Sequence, residues 1–421
     1  EGQDVVVIES DPARAASAQA EIDCLVIMGN GASAKTLKKA GLADADLLIA
    51  VSSSDAVNVL ACAAGNQLNI PRKVARVEDP QLKAEVEALG VDLVIDPGEA
   101  AARELLKLAS SGDIAERIEF ADGDLTLLGA YIDAGAPFVG LTLQELRENV
   151  SGWDWLVVAV VRNGKTIIAR GTTKLKAHDH VLIMARKEVT EEVYTWLGIS
   201  SAPAEKVLVL GGTRLARLTA RLLTDRGVHT TLIEPDMDRC RIIAEELPAV
   251  VTVCGEPTDI KLMKQEGVEN TDTVMALTGW DSENVLSALA AKNLGAREVI
   301  ARFSNTDLVG LLSGIGIDAT VSARLSAANE ILRFVRRGVI YSVVTFSDSD
   351  AEAIELEVGP SSPAIGKTLA DLALPTSLII GGIQLNGDSF VPKGDSVIDV
   401  GDHLIAIALP EANSIAEKLS R

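Results

Sequence analysis

The sequence predicts an α/β protein with two doubly wound parallel sheets, each followed by a small α+β domain. The first observation behind this prediction is a repeat. Residues 29–76 reappear at residues 255–302, shifted by 226 positions without a gap. The matches include glycines that interrupt regular secondary structure, such as Gly41 with Gly267. Because a shared helical pattern would not align glycines in one register, the chain is a duplicated unit.

A second observation is that the repeat extends into a smaller module in each half. Residues 140–146 match residues 366–372 at the same shift, and residues 163–180 match residues 386–403 at a shift of 223. A loop that differs by three residues explains the change, because loops tolerate insertions. Each half therefore contains a larger module followed by a smaller one.

The third observation is the alternation of strand-like and helical patterns in the larger module of the second half. The predicted strands are Lys206–Leu210, Thr230–Ile233, Val250–Val253, Thr273–Leu277, Val299–Arg302 and Ala319–Val321. Such alternation calls for a parallel sheet, which binds ligands at the carboxyl ends of its strands. Gly211 ends the first strand and opens a helix whose amides can hold a phosphate. Glu234 ends the second strand, where an acid can bind a ribose diol.

The glycine loop of this module departs from the dinucleotide-binding pattern G-x-G-x-x-G. It reads Gly211-Gly212-Thr213-Arg214-Leu215, so a threonine stands at the central position. The Thr213 side chain is expected to crowd a pyrophosphate, while Arg214 could offer phosphate a charge-assisted contact. The alternative is a glycine turn that serves only helix–strand packing.

The larger module of the first half has no counterpart of the first strand and its glycine loop, since the repeat would place them before Glu1. Its predicted strands are Val5–Ile8, Leu25–Met28, Leu47–Val51 and Val74–Arg76. Glu9 follows the first of these, and Gly29-Asn30 follows the second. A sheet without its central strand would expose two strand edges. We therefore expect the natural protein to have residues before Glu1.

Both larger modules carry Asp-x-x-Asn after a short polar or glycine-containing loop, beginning at Asp55 and Asp281. Hydroxyls and amides at this helix start, from Ser52, Ser53 and Thr278, can reach a nucleotide. Helix capping by the two aspartates is an alternative that is compatible with ligand binding.

Arg76 and Arg302 end the next strand, at the same edge of the sheet as these helix starts. Each arginine could contact a ligand or form a surface salt bridge, and the sequence leaves both alternatives open. The candidate cofactor-binding residues are Glu9, Gly29, Asn30, Ser52, Ser53, Arg76, Gly211, Gly212, Thr213, Arg214, Leu215, Glu234, Thr278 and Arg302.

Composition excludes several classes of partner. The net charge of −21 argues against nucleic acid and anionic lipid, which both need basic surface. The longest apolar runs are too short to span a bilayer. The cysteines Cys24, Cys62, Cys240 and Cys254 have no CxxC spacing, so they are interpreted as reduced core residues.

The smaller modules are predicted to contain strands, a short helix and a hairpin. In the second copy residues 366–372 begin the short helix, and Asn386-Gly387 joins the hairpin strands Ile379–Leu385 and Ser389–Pro392. No nucleophile–base pair or metal cluster stands out in either copy. We therefore predict binding or oligomerisation modules with no catalytic residues.

The order of modules resembles the TrkA family, regulatory subunits of bacterial potassium uptake systems that contain two tandem RCK units. The motifs that carry this resemblance are Gly41-Leu-Ala-Asp-Ala-Asp46, Leu48–Val51, Ser52-Ser-Ser-Asp55-x-x-Asn58, Ile70-Pro71, Val74-Ala75-Arg76, Arg162-Asn163-Gly164, Pro392-x-Gly394 and Gly401-Asp402. The match covers nearly the whole chain, and it is specific through the combination of motifs.

The resemblance implies a Rossmann-like RCK N-domain and an α+β RCK C-domain in each half. The implied boundaries are 1–113 and 117–197 in the first half, and 204–338 and 341–421 in the second. It also implies NAD(H) or ADP/ATP as regulatory ligands. By similarity, the nucleotide contacts are Glu9, Ser52, Ser53 and Arg76 in the first unit and Gly211 to Leu215, Glu234 and Arg302 in the second. Some related RCK proteins have a metal-binding Glu directly after a Pro that follows strand six. Here Gly98 follows Pro97, so no bound metal is expected.

The resemblance further implies a non-enzymatic subunit that gates a membrane potassium channel or transporter. The implied partner is a TrkH-like integral membrane subunit, which would hold a cytoplasmic homotetramer at the inner face of the membrane without direct insertion. The alternatives are an NAD-dependent dehydrogenase or another nucleotide-sensing regulator. A dehydrogenase needs a substrate domain with an acid–base residue, and the smaller modules offer no such constellation.

Overall fold

The computed structural model describes residues 4–110, 116–132, 135–148, 154–162, 165–197, 204–304, 315–335, 340–345, 349–385 and 387–420. The chain separates into two compact units. The first comprises residues 1–100 with 326–334, and the second comprises residues 101–325 with 335–421. The larger module of the first half thus lies in the first unit, while both smaller modules lie in the second.

Strands and helices alternate in the first unit, in the order β1 Val6–Glu9, α1 Pro12–Glu21, β2 Leu25–Met28, α2 Ala34–Lys39, β3 Leu47–Ala50, α3 Asp55–Gln67, β4 Arg72–Arg76, α4 Pro80–Ala88 and β5 Leu93–Ile95. Strands β1 and β2 pair in parallel, and β3, β4 and β5 form a separate parallel sheet. Val6, Leu25 and Ile49 are exposed. Val6 on β1 and Ile49 on β3 flank the position that an additional strand occupies in the second half, whereas Leu25 on β2 is as exposed as its equivalent Val251.

The same alternation in the second half gives β11 Lys206–Leu210, α8 Arg214–Asp225, β12 His229–Glu234, α9 Met237–Glu246, β13 Val251–Cys254, α10 Ile260–Gln265, β14 Thr273–Ala276, α11 Asp281–Asn293, β15 Glu298–Arg302 and β16 Ala319–Val321. The strands form one parallel sheet in the order β13-β12-β11-β14-β15-β16. Helices cover both faces, so the apolar residues of the central strand β11 are buried. The predicted doubly wound sheet is therefore confirmed.

The last helix of each larger module belongs largely to the other unit. Helix α5 spans Pro97–Ser110, and its Ala102 and Leu105 join the core of the second unit. Helix α12 spans Ala323–Val335, and its Ala327 and Phe334 pack with residues of the first unit. The two halves thus exchange helices that the sequence pattern alone assigns to their own modules.

The smaller modules are five-stranded antiparallel sheets within the second unit. The first contains β6 Glu116–Phe120, β7 Leu125–Tyr131, α6 Leu143–Glu148, β8 Trp155–Arg162, β9 Lys165–Ile168, β10 His180–Arg186 and α7 Thr190–Leu197. The second contains β17 Ile340–Thr345, β18 Glu352–Glu357, β19 Leu378–Leu385, β20 Asp388–Phe390, β21 His403–Ala408 and α13 Asn413–Lys418. The predicted hairpin is the antiparallel pair β19 and β20, and its turn residue Asn386, like Asn163 and Gly164, lies outside the described residues.

The predicted helix at residues 366–372 is wrong. The segment forms turns, with Thr368 Oγ1 bound to Asp371 Oδ2 at 2.8 Å. Ala373 has a φ of +45°, which lies outside the helical region. Pro375 follows two residues later and disfavours a helical conformation at the residue before it. The equivalent segment of the first copy does contain a helix, α6.

The two antiparallel sheets pack face to face. One cluster of buried residues combines Leu125, Val158 and Met184 of the first copy with Ile405 and Ile407 of the second. The approach is close at two glycines of β19, since a Cβ atom would lie 3.0 Å from Val158 Cγ1 at Gly381 and 2.6 Å from Leu125 Cδ1 at Gly382. Val158 and Gly381 correspond at a shift of 223, and each lies at a register irregularity of its strand. Equivalent positions of the repeat therefore meet in the middle of this interface.

A buried aspartate follows the hairpin in each smaller module, but only the first copy has a described arginine paired with it. Arg162 donates from Nε and Nη2 to both carboxylate oxygens of Asp179, each at 2.7 Å. The position equivalent to Arg162 is Leu385. Asp402 is 1% exposed, and its Oδ2 accepts from the Asp399 amide at 2.8 Å, while no described residue forms a hydrogen bond with its Oδ1. Burial raises the pKa of Asp402.

The raised pKa predicts a pH-dependent weakness of the second smaller module. The folded protein holds the Asp402 proton more tightly than the unfolded chain, so this stabilisation is present at low pH and is lost as pH rises through the raised pKa. Leu385→Arg should restore the pair and raise the thermal midpoint at neutral pH, with a smaller gain in acid. Thermal unfolding between pH 4 and pH 8 measures the difference.

The first copy supplies the matched control. Arg162→Leu leaves Asp179 buried without its guanidinium and should cost roughly 3 kcal/mol at neutral pH. The same pH dependence in the natural chain and in Asp402→Asn would contradict the assignment to Asp402.

Candidate functional site

The strand order reverses between β11 and β14, and the crevice beyond the carboxyl ends of such strands is where doubly wound sheets bind ligands. This edge, here called the cleft, contains the glycine turn after β11. Gly211 has a φ of +99°, and a Cβ atom there would lie 2.8 Å from Thr278 Cα. Only glycine therefore fits between the ends of β11 and β14. The turn leads directly into α8, whose first-turn amides have no acceptor within the helix. This arrangement suits an anion at the helix start.

Glu234 lies at the end of β12, and its side chain turns inward onto the glycine turn. The residue is 2% exposed. Its Oε2 accepts from the Gly212 amide at 2.7 Å, and its Oε1 accepts from the Asp236 amide at 3.0 Å. The guanidinium of Arg239 lies 3.5 Å from Oε1. The predicted ribose-binding acid therefore also braces the glycine turn, a contact that its position in the sequence does not reveal.

Thr213 begins α8 as its N-cap. Its Oγ1 accepts from the Ala216 amide at 3.3 Å and donates to the Leu277 carbonyl at 2.7 Å. The hydroxyl therefore fastens the glycine turn to the segment after β14. Arg214 and Leu215 follow as the first two residues of the helix, the former half-buried and the latter buried.

Asn284, which is fully buried on α11, ties two strand ends together. Its Oδ1 accepts from the Thr278 amide at 2.7 Å, and its Nδ2 donates to the carbonyls of Thr278 and Arg302 at 3.3 and 3.1 Å. Arg302 Nη1 donates to the same Thr278 carbonyl at 3.0 Å. The residues after β14 and β15 are thus held as one wall of the cleft.

The first unit repeats this wall. Asn58 Oδ1 accepts from the Ser52 amide at 2.8 Å, and its Nδ2 donates to the carbonyls of Ser52 and Arg76, each at 2.9 Å. Arg76 Nη1 donates to the Ser52 carbonyl at 3.0 Å, and its Nη2 forms an ion pair with Glu78. The neighbouring Ser53 is exposed. The arginines therefore have structural partners in both copies.

Glu9 differs from Glu234 in its surroundings. It is half-buried, and its Oε1 accepts from the amides of Ser10 and Asp11 at 2.6 and 2.8 Å. The Asp11 amide, the larger influence, lowers the pKa of Glu9. The Gly29 amide binds the Glu9 carbonyl at 2.9 Å, and Asn30 Oδ1 accepts from the Ala32 amide at 2.8 Å. Glu9, Gly29 and Asn30 thus lie at neighbouring strand ends.

The expected capping role of Asp55 and Asp281 is wrong. Ser54 is the cap in the first unit, and each aspartate is instead the first residue of its helix. Asp55 accepts from the Glu78 and Asp79 amides, and Asp281 accepts from the Ser304 amide. The aspartates therefore hold the chain that follows the next strand. The same residue types, Asp and Asn, occur at the equivalent positions of both copies. This repetition was the sequence signal that could have indicated a structural role for them.

The interpretation of all four cysteines as core residues is only partly correct. Cys62 and Cys240 are buried, Cys24 is half-buried and Cys254 is exposed. Cys254 is the last residue of β13, the edge strand of the sheet, which accounts for its exposure. No group of three or more His, Cys, Asp or Glu side chains that could hold a metal is found among the described residues.

A Rossmann-like parallel sheet followed by a small antiparallel sheet, present twice, defines a tandem RCK protein. The TrkA-N domain model matches residues 1–97 and 207–323, and the TrkA-C domain model matches residues 127–198 and 353–420. The chain belongs to the TrkA family. This membership makes it a non-enzymatic regulatory subunit of potassium uptake, as predicted, and removes the dehydrogenase alternative.

Two relatives show how completely the chain matches. The Trk system potassium uptake protein TrkA of Azorhizobium caulinodans is 30% identical over 431 residues, covering 100% of this chain and 94% of that protein. The TrkA homolog 1 of Methanosarcina mazei is 32% identical over 427 residues, covering 99% and 94%.

Solved structures support the fold. The GsuK channel aligns with a TM-score of 0.61 at 20% identity, covering 100% of this chain and 75% of that one. A GsuK channel bound to NAD aligns with a TM-score of 0.59 at 20% identity, covering 98% and 74%. In the parts of the chain that the structure describes, no helix combines the length and apolar character needed to cross a bilayer.

The buried asparagine predicts a test of the cleft wall. Asn284→Ala leaves the buried Thr278 amide without its acceptor and should lower the free energy of unfolding by about 2–3 kcal/mol. Urea unfolding measures the loss. Asn293→Ala is the matched control, since Asn293 is exposed on the same helix. Equal losses in the two variants would contradict the proposed tie.

Proposed function

We propose that each larger module binds NAD(H), ADP or ATP as a regulatory ligand at the carboxyl ends of its strands. The observation that carries the proposal is the direct contact between the strand-end acid and the glycine turn in the second unit. Gly212 N–H and Glu234 Oε2 lie 2.7 Å apart. A dinucleotide places its pyrophosphate and its ribose next to each other, so it needs a helix start and an acid as neighbours.

The proposed contacts are the residues that line these strand ends. In the first unit they are Glu9, Gly29, Asn30, Ser52, Ser53 and Arg76, and in the second they are Gly211, Gly212, Thr213, Arg214, Leu215, Glu234, Thr278 and Arg302. Glu234 retains acceptor capacity beyond its two amide contacts, because a carboxylate has about four lone-pair sites. Arg214 is placed to meet phosphate at the start of α8.

Likeness to ligand-bound structures supports the class of ligand. One GsuK structure is described as bound to NAD. A second, which aligns with a TM-score of 0.50 at 16% identity, is described as bound to ADP. The two acids of this chain have different surroundings, one half-buried and one braced by the glycine turn. We expect the two sites to differ in their preference among these nucleotides for this reason.

We further propose a homotetramer on the cytoplasmic face of a TrkH-like membrane subunit, which it gates. Four chains supply eight RCK units, the number that would form a ring. Exposed leucines occupy equivalent positions on α3 and α11, with Leu60 56% and Leu286 61% exposed. Leu25 and Val251 form a second equivalent pair, 58% and 59% exposed. Repeated exposure of large apolar side chains favours contacts between copies.

Nucleotide binding predicts a measurable role for both acids. Glu9→Ala and Glu234→Ala should each weaken NADH or ADP binding to one site by about 1–3 kcal/mol, because the ribose loses a carboxylate acceptor. Calorimetric titration of the whole chain measures both sites, with Glu417→Ala as a control acid that lies outside both N-domains. An unchanged affinity in either variant would remove that acid from its site.

Assembly predicts a concentration-dependent mass. Light scattering should give the mass of four chains at high concentration and of smaller species on dilution. Replacing both Leu60 and Leu286 by Glu should shift this equilibrium toward the smaller species, because charge is costly in an apolar contact. Leu68→Glu, at the exposed end of α3, is the control. A single-chain mass at high concentration would refute the tetramer.

A further inference from the structure

Two cysteines of the second unit converge behind Glu234. Cys240 lies on α9, where its Sγ donates to the Glu234 carbonyl at 3.1 Å. Cys254 ends β13, and its Sγ donates to the Pro235 carbonyl at 3.7 Å. The two thiols therefore bind successive carbonyl groups of one short segment.

The backbone brings the two residues equally close. Glu234 is the register partner of Cys254 in the parallel pair β12 and β13. The Glu234 carbonyl accepts from the Gly255 amide at 3.0 Å as well as from the Cys240 thiol. One oxygen atom thus joins the Cys240 side chain to the peptide that follows Cys254.

The two thiols differ in exposure, which gives each a separate part in a redox reaction. Cys254 is exposed, whereas Cys240 is 7% exposed. Burial raises the pKa of Cys240 to about 12, and such a thiol is a slow attacking group. The positions equivalent to Cys240 and Cys254 in the first half are Arg14 and Met28. The pair is therefore a feature of the second unit.

We propose that Cys240 and Cys254 form a reversible redox site, which a small-molecule disulfide oxidises to an intramolecular disulfide. The Cys254 thiolate attacks the small disulfide, its S–S bond breaks, and one thiolate leaves. Cys240 then loses its proton to solvent, attacks Cys254 Sγ and expels the second thiolate. The two cysteines are oxidised, and the small disulfide is reduced to two thiols.

Oxidation would change the segment that supports the strand-end acid. A disulfide has no S–H group, so the carbonyls of Glu234 and Pro235 lose their thiol donors. The same segment carries the Asp236 amide that binds Glu234 Oε1 at 3.0 Å. The oxidised second unit should therefore bind nucleotide at least threefold more weakly. This regulatory consequence rests on the proposed nucleotide function, whereas disulfide formation does not.

Incubation of the whole chain with oxidised glutathione tests the chemistry directly. Peptide mapping without reductant should find Cys240 linked to Cys254, with Cys24 and Cys62 unlinked and with full reversal by a dithiol. The second step should be faster at pH 8.5 than at pH 7, because it needs the Cys240 thiolate. Cys240→Ser should stop at a glutathione adduct on Cys254, and Cys254→Ser should leave Cys240 unmodified. A natural chain that stops at the adduct, or links other cysteines, overturns the proposal.

Nucleotide titration of the reduced and oxidised chain tests the consequence. A loss of affinity in the oxidised natural chain that is absent from Cys240→Ser supports regulation by the pair. Equal affinity in both redox states overturns the regulatory consequence. Absence of nucleotide binding in both states would count against the proposed function, and the disulfide map would then decide the redox proposal alone.

Discussion

A buried asparagine side chain fixes the shape of the cleft in each larger module. Asn58 and Asn284 each bind both the amide and the carbonyl of the residue after one strand, and the carbonyl of the arginine that ends the neighbouring strand. A primary amide can do this because it is donor and acceptor at once. The arginine contacts and the loops held by Asp55 and Asp281 are arranged around the same strand ends. The candidate nucleotide contacts of that wall therefore depend on one side chain.

The fold could be predicted because its signals are local and occur twice. These signals are apolar runs of four or five residues, glycines at strand ends and the alternation of strands with helical patterns. Together they predict a parallel sheet in an α/β fold. The predicted bounds of β11 agree with the structure. Repetition strengthened each signal, since a residue such as Gly41 that recurs at Gly267 needs a positive φ in both places.

The features that sequence reasoning missed depend on contacts between distant parts of the chain. Asp55 looks like a helix cap because its partners at residues 78 and 79 lie far along the sequence. Glu234 could be placed at a strand end, but its inward turn onto Gly212 follows from burial. The exchanged helices α5 and α12 have ordinary amphipathic patterns, which predict a helix but not the sheet that it covers.

The meeting of Val158 with Gly381 shows what joining two units in one chain allows. When two identical copies pair about a two-fold axis, the residue on the axis meets itself, so it must be small enough or shaped to do so. Here a valine fills the room that a glycine leaves. A change of side-chain size in one half can be offset by a change at the facing position of the other half. The pairing is also intramolecular, so it does not depend on protein concentration. The two sheet faces are thus complementary but not identical, and a protein built from two copies of the same half is not expected to form this interface.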